Sequence, residues 1–160
     1  MVTRVSHEAR LTQLKIQLPG PFAPHEPLVG CFQFNGVART SGALPRDHEG
    51  KIHWPGHLGR DVPVDRGAEA AGLAAMNALS LMRAGLGSLD QIWQVLSMTV
   101  YIACTPDFDQ LPQVADGASN VLIDILGDAG KHTRAAIGVV SLPRKAAVEV
   151  ELTAAVRPAT

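Results

Sequence analysis

Arg134 leads an otherwise uncharged stretch, Arg134-Ala-Ala-Ile-Gly-Val-Val-Ser-Leu142, which reads as a buried strand. A guanidinium stays charged in a protein, so at the edge of an apolar sheet it requires an anionic partner. Its planar fork fits a carboxylate through two parallel hydrogen bonds. Arg134 is therefore either the anchor for a ligand carboxylate or half of an ion pair at a strand end, with Glu151 as the nearest partner. The next strand, Ala146-Ala-Val-Glu-Val-Glu-Leu152, puts Glu149 and Glu151 on one face and Val148, Val150 and Leu152 on the other. An acid held in a cleft can act as a general base or orient water. On an isolated alternating strand the same carboxylates would simply face solvent. Ser41-Gly42 closes an earlier strand, and is either a turn or a hydroxyl and approachable N–H that bind substrate oxygens.

If the last two strands form a hairpin turning at Leu142–Lys145, Arg134 falls opposite roughly Thr153. Glu149 is then on the order of 13 Å away at ~3.3 Å per residue, so the two would meet only through curvature, a bulge or a ligand between them. His48, His53 and His57 share a loop with Asp47 and Glu49, but Pro55-Gly56 breaks the helix that would align them. No zinc spacing is matched, so a solvated loop without metal is expected. His132, close to Arg134, reads as a surface histidine. Nucleophile-elbow, phosphate-loop and dinucleotide fingerprints are missing, which removes the usual supports for acyl hydrolysis, nucleotide hydrolysis and hydride transfer.

The elements that must position these residues are legible in turn. A short helical pattern over 6–16 stops at Pro19-Gly-Pro21, and an irregular connection follows to residue 30. Strands over 29–34 and 36–43 flank Asn35-Gly36, a two-residue hairpin signal. The spacing of Ala68, Ala71, Ala75, Ala78, Leu79 and Met82 predicts a helix over 64–86, ended by Gly85 and Gly87. Alternation over 93–103 predicts a strand with Leu96, Met98, Val100 and Ile102 on its buried side. A second helix over 108–126 has Pro112 in its first turn and Gly127 as its stop. The order is β-β-α-β-α-β-β, an α+β domain with two long helices on one face of a mixed sheet. Because 135–140 is apolar on both faces, the uncovered face requires a partner, and a homo-oligomer is expected.

The chain has 160 residues, 46% of them hydrophobic and 18% charged, with a formal net charge of -1. That composition describes one folded domain, spanning 1–160, with residues 1–24 packing on it as an N-terminal extension. It argues against a dedicated nucleic-acid binder, which would carry a basic stripe. No apolar run reaches the length of a membrane span, and the N-terminus lacks a secretory core, so a cytoplasmic location is expected. Cys31 and Cys104 fit free thiols in a reducing compartment.

Taken together, the chain resembles the YjgF/RidA family, the reactive-intermediate deaminases formerly labelled endoribonuclease L-PSP. The resemblance is carried by Thr40-Ser-Gly-Ala-Leu-Pro45, Gly67-Ala-Glu-Ala-Ala71, Thr99-Val-Tyr-Ile102 with Asp107-Phe108, Thr133-Arg-Ala-Ala-Ile-Gly-Val-Val-Ser-Leu-Pro143 and Val148-Glu-Val-Glu151. It covers 25–156, and within the family Asp116-Gly-Ala-Ser-Asn120 marks one branch. The resemblance implies a chorismate-mutase-like α+β fold, a homotrimer with inward-facing sheets, and ligand clefts between subunits. It places the carboxylate anchor on Arg134, the water-orienting glutamate on Glu149 and the backbone contact on Ser41 and Gly42. A cysteine common two residues after the arginine is Ala136 here, and a frequent aromatic is Leu28. Both positions are expected to line the substrate pocket.

The expected activity is hydrolytic deamination of a small enamine or imine acid, such as 2-aminoacrylate, to a 2-oxo acid and ammonia. No cofactor is required, because a protonated imine is already electrophilic. The alternative is a trimeric small-acid-binding or chaperone-like protein without turnover. RNA cleavage or translation inhibition, suggested by the family's older name, is disfavoured by the charge balance and by the lack of a histidine pair suited to phosphodiester chemistry.

Overall fold

The computed structural model describes residues 5–158. Helix α1 is His7–Gln13, capped by Ser6, whose hydroxyl accepts from the Ala9 N–H. It is tied down by Ser6 Oγ donating to Asp90 (2.8 Å) and by the Arg10 guanidinium donating to the Asp124 carbonyl (2.6 Å). Strands β1, Cys31–Phe34, and β2, Val37–Thr40, form the expected hairpin. Asn35 (φ 49°) and Gly36 (φ 77°) both take the left-handed region that such a two-residue turn demands. Helix α2 runs Val64–Leu86 and ends on Gly87, left-handed at φ 83°. Strand β3 is Ile92–Ala103, helix α3 is Leu111–Leu126, strand β4 is Thr133–Val139 and strand β5 is Val148–Val156.

The sheet order is β1-β2-β5-β3-β4. Strands β4 and β5 therefore do not make the expected hairpin, because β3 lies between them. The reason is the α3 crossover, which carries β4 back to lie parallel beside β3. Strand β5 then fills the place between β2 and β3, antiparallel to both. The Leu142–Lys145 connection thus passes the end of β3 instead of closing a turn.

Helices α2 and α3 cover one face of the sheet. Ala70, Ala71, Ala74, Ala75 and Ala78 of α2 are fully buried, so its backbone lies close to the sheet and to α3. The approach to α3 is tightest at Gly117, where a Cβ would overlap the Ala68 backbone. Leu79, Met82, Leu122, Ile125, Met98, Val100, Ile102 and Leu152 are buried to within 2%. Each such aliphatic side chain contributes about 1.5–3 kcal/mol from removal from water. Leu96 departs from its expected place: it is 41% exposed because a bulge between Val95 and Ser97 shifts the register. Val95 takes the core position instead, paired with Ala154.

The other face carries no helix among the described residues. Register places Phe34, Val37, Ala155 and Gln94 in one row across it, and Phe32, Arg39, Thr153, Ser97 and Thr133 in the next. Glu151, Thr99 and Ala135 follow, then Glu149, Tyr101 and Ile137. Phe32 and Phe34 are 63% and 68% exposed. No helix of the described residues is long and apolar enough to cross a membrane.

Candidate functional site

Where β2 ends, the chain runs alongside β5 through reciprocal bonds between Ala43 and Val150 (2.8 and 3.0 Å). Ser41 is held by its N–H to the Gly30 carbonyl (2.9 Å) and by its hydroxyl donating to the Val29 carbonyl (2.6 Å). Gly42 consequently lies directly under the Glu149 side chain. A Cβ at position 42 would overlap Glu149 Oε1 and stand 2.8 Å from its carboxyl carbon. Glycine leaves room for the carboxylate in this position, and the Gly42 N–H has no hydrogen-bond partner among the described residues.

Ser41, Gly42, Glu149 and Leu28 line a cleft of about 650 Å³ together with Phe22, His25, Arg46, Asn77, Leu81 and Arg144. Burial pushes the Glu149 carboxyl above its ordinary value, and the charge of Glu151 adds to the effect. Among the described residues Glu149 has neither an ion pair nor a hydrogen bond. Its neighbour Glu151 is engaged, with Arg39 at 3.3 Å and the Tyr101 hydroxyl at 3.2 Å. The site therefore presents one partly desolvated, unpaired carboxylate beside a free backbone donor. Such a group can take a proton from water and hold it.

Arg134 and Ala136 lie elsewhere. Arg134 is in register with Met98 and shares its helix-facing side, whereas Glu149 is in register with Tyr101 on the open face. Three residues along and two strands across separate their Cα atoms by roughly 14 Å. Within one chain no small acid spans that gap around the sheet. Nor does Arg134 pair with Glu151. Its Nη1 instead donates to Asp116 Oδ1 (2.8 Å) and to Ser119 Oγ (3.0 Å) on α3, and its Nη2 to the Pro112 carbonyl (3.4 Å). His132 joins this group, with Nε2 3.0 Å from Ser119 Oγ. Ala136, partly buried, packs against the core on the same face.

Sequence reasoning missed Asp116 as the partner. The signal was present: with Ala115 and Ala118 turned inward on α3, Asp116 and Ser119 flank that stripe one turn apart. Arg46, Arg144 and Asn77 were also missed, since each reaches the cleft through a loop or a helix distant in sequence. The histidines of the 45–62 loop are used locally. His53 pairs with Asp47 at 3.0 Å, and His57 Nε2 meets the Val140 carbonyl at 2.7 Å while Nδ1 meets Arg60 at 3.1 Å. Among the described residues no three His, Cys, Asp or Glu side chains converge as a metal site.

An α+β domain with two helices on a five-stranded mixed sheet, and a glycine-floored cleft holding Glu149 at the end of β2, defines a recognisable class. Residues 10–156 match the family model described as YjgF/chorismate mutase-like, putative endoribonuclease, and the chain belongs to that family. It is 36% identical over 144 residues to Protein TCP17 of Trypanosoma cruzi, covering 89% of each chain. The crystal structure of Atu1372 from Agrobacterium tumefaciens, a protein of unknown function, superposes with TM-score 0.86 at 36% identity, covering 94% of this chain and 92% of that one. A Shewanella oneidensis protein given the same endoribonuclease description superposes with TM-score 0.90 at 28% identity, over 95% of this chain and 100% of that one.

Proposed function

We propose that the protein hydrolyses a small enamine or imine acid to a 2-oxo acid and ammonia, at clefts completed between copies of the chain in a homotrimer. The observation that carries this reading is Glu149: unpaired, partly desolvated, and laid over the Cα of Gly42 in an open cleft. A carboxyl held above its ordinary range is a better proton acceptor than a solvated one. In the reaction Glu149 takes a proton from water as the oxygen attacks the imine carbon. The adduct formed from the protonated imine then expels ammonia with the proton that Glu149 held, and Glu149 takes the hydroxyl proton as the carbonyl forms and later releases it to solvent. Gly42 N–H is a donor for substrate oxygen, and orientation supplies most of the acceleration.

Arg134 enters from a second copy. It cannot reach the cleft of its own chain, yet it stands on the edge strand β4, and the open face around Phe32, Phe34, Val37 and Ile137 is apolar enough to seek a cover. In that arrangement Arg134 of the neighbour holds the substrate carboxylate, and Ala136 contributes to the far wall. The test is ammonia release from 2-aminoacrylate generated in situ by a dehydratase. Release faster than the spontaneous reaction, abolished by Glu149→Gln, is expected; a variant as fast as the parent removes Glu149 from the role.

A specific observation favours a second reading, binding without turnover. The Arg134 fork is already partly occupied by Asp116, as an ion pair of purely structural value would be. This reading predicts 2-oxo acid binding with no ammonia formed. RNA cleavage gains no support, because the formal charge is -1 and the cleft holds a single histidine, His25. The two free cysteines fit a reducing compartment such as the cytoplasm.

A further inference from the structure

We propose that Arg46 and Arg144 form an anion subsite in the Glu149 cleft, which makes the preferred substrate a short 2-imino dicarboxylate in place of a monocarboxylate. This deepens the hydrolase reading and rests on it for the reacting end of the molecule. Arg46 and Arg144 line the cleft on which Glu149 and Ser41 also open. Arg39, Arg60, Arg66, Arg83 and Arg134 are each paired with a carboxylate. Arg46 and Arg144 have no such partner among the described residues. Arg46 is fixed in the wall over the Phe22 ring, 5.5 Å from its centroid, a contact that orients the fork without neutralising it.

Burial lowers the Arg46 pKa, and the charge of Arg144 lowers it further, so the two cations are close enough to repel. Leu28, Leu44 and Leu81 give the same cleft an apolar wall, and Arg46 is the partly buried member of the pair. Two like charges brought together against such a wall are stabilised by an anion between them.

The backbone supports the same reading. Arg144 sits at φ 57°, ψ 24°, in the left-handed region that side-chain-bearing residues avoid, and Lys145 follows at φ 58°. The turn is held there by Ala146 N–H to the Pro143 carbonyl (3.1 Å) and Gly56 N–H to the Lys145 carbonyl (2.9 Å). Strain kept at a cleft-lining arginine, where glycine would be easier, points to use of the side chain. With the substrate's first carboxylate assigned to Arg134 of the neighbour, the cation pair is left for a second carboxylate at the other end of a short chain.

Calorimetry on the purified protein in its native assembly, with 2-oxoglutarate and 2-oxobutyrate as probes, tests the subsite. The dicarboxylate should bind at least about tenfold more tightly, as expected for one added charge-assisted contact. Arg144→Gly should erase that preference while raising the melting temperature, since glycine takes the left-handed conformation freely. A separate Arg46→Gln variant should weaken the preference independently. Equal affinities in the parent, or a preference that survives both substitutions together, would overturn the subsite. Ammonia release from imines formed in situ by an amino-acid oxidase keeps the two ideas apart. A preference with no accelerated release sinks the hydrolase reading alone, and accelerated release with no preference sinks the subsite alone.

Discussion

Gly42→Ala is the most informative single perturbation, because its effect on the proposed chemistry follows from one overlap. The added methyl would stand 2.8 Å from the Glu149 carboxyl carbon and overlap Oε1. Ordinary contact begins at 3.4 Å, so the carbon must retreat by at least about 0.6 Å and the oxygen by about 1.3 Å. A misplacement of that size at a proton-transferring group costs on the order of a hundredfold in rate. Fold stability should change little, because a carboxylate at the end of a flexible side chain yields at small cost and Gly42 is not in the left-handed region. The assay is ammonia release under saturating and limiting substrate, beside a thermal melt. The expected result is kcat reduced by about 10²-fold with a melting temperature near the parent's. A variant that keeps the parental kcat would show that the position of the Glu149 carboxylate does not matter, and the proposed mechanism fails with it.

Three further outcomes are expected. Asp116→Asn removes the carboxylate that competes for Arg134; the pair is 2.8 Å long but Asp116 is 59% exposed, so stability should fall by less than about 1 kcal/mol while KM decreases. A rise in KM would show that Asp116 aims the guanidinium instead. Glu149 has a carboxyl raised above its ordinary value in the folded state, so its ionisation opposes folding, and that penalty grows as pH rises from the ordinary carboxylate value through the folded one. Glu149→Gln should therefore melt higher than the parent at neutral pH and converge with it in acid; melts across pH that show no gain at neutrality contradict the burial argument. Gly117→Ala drives a methyl into the Ala68 backbone, which outweighs the ~1 kcal/mol helix-propensity gain and should cost about 2 kcal/mol net, read as a loss of several degrees in Tm.

The helices were legible because their signals are local. Alanine spacing and Gly87 define α2 to the residue, and Asn35-Gly36 announces the β1–β2 turn. The pairing of β4 was not, since the Ser-Leu-Pro turn looks like a hairpin until the α3 crossover claims the edge beside β3. The exposure of Leu96 was likewise hidden, because a bulge leaves no mark on an alternating pattern. Within the site, Ser41, Gly42, Leu28 and Glu149 could be grouped from the family resemblance, and they do share a cleft. What no periodicity revealed was that Arg134 lies across the sheet from them, bound to Asp116, or that Arg46 and Arg144 converge from separate loops. Such meetings depend on tertiary register, which the sequence of any one element does not encode.

The proposed dependence of each cleft on a neighbour's Arg134 is tested most directly by subunit complementation. Arg134→Ala and Glu149→Gln proteins, each inactive alone, are unfolded together, refolded as a mixture and assayed for ammonia release. Random assembly of equal amounts leaves both groups intact at about one quarter of the interfaces, so about a quarter of parental activity should return. A mixture as inactive as its components would contradict a site shared between copies.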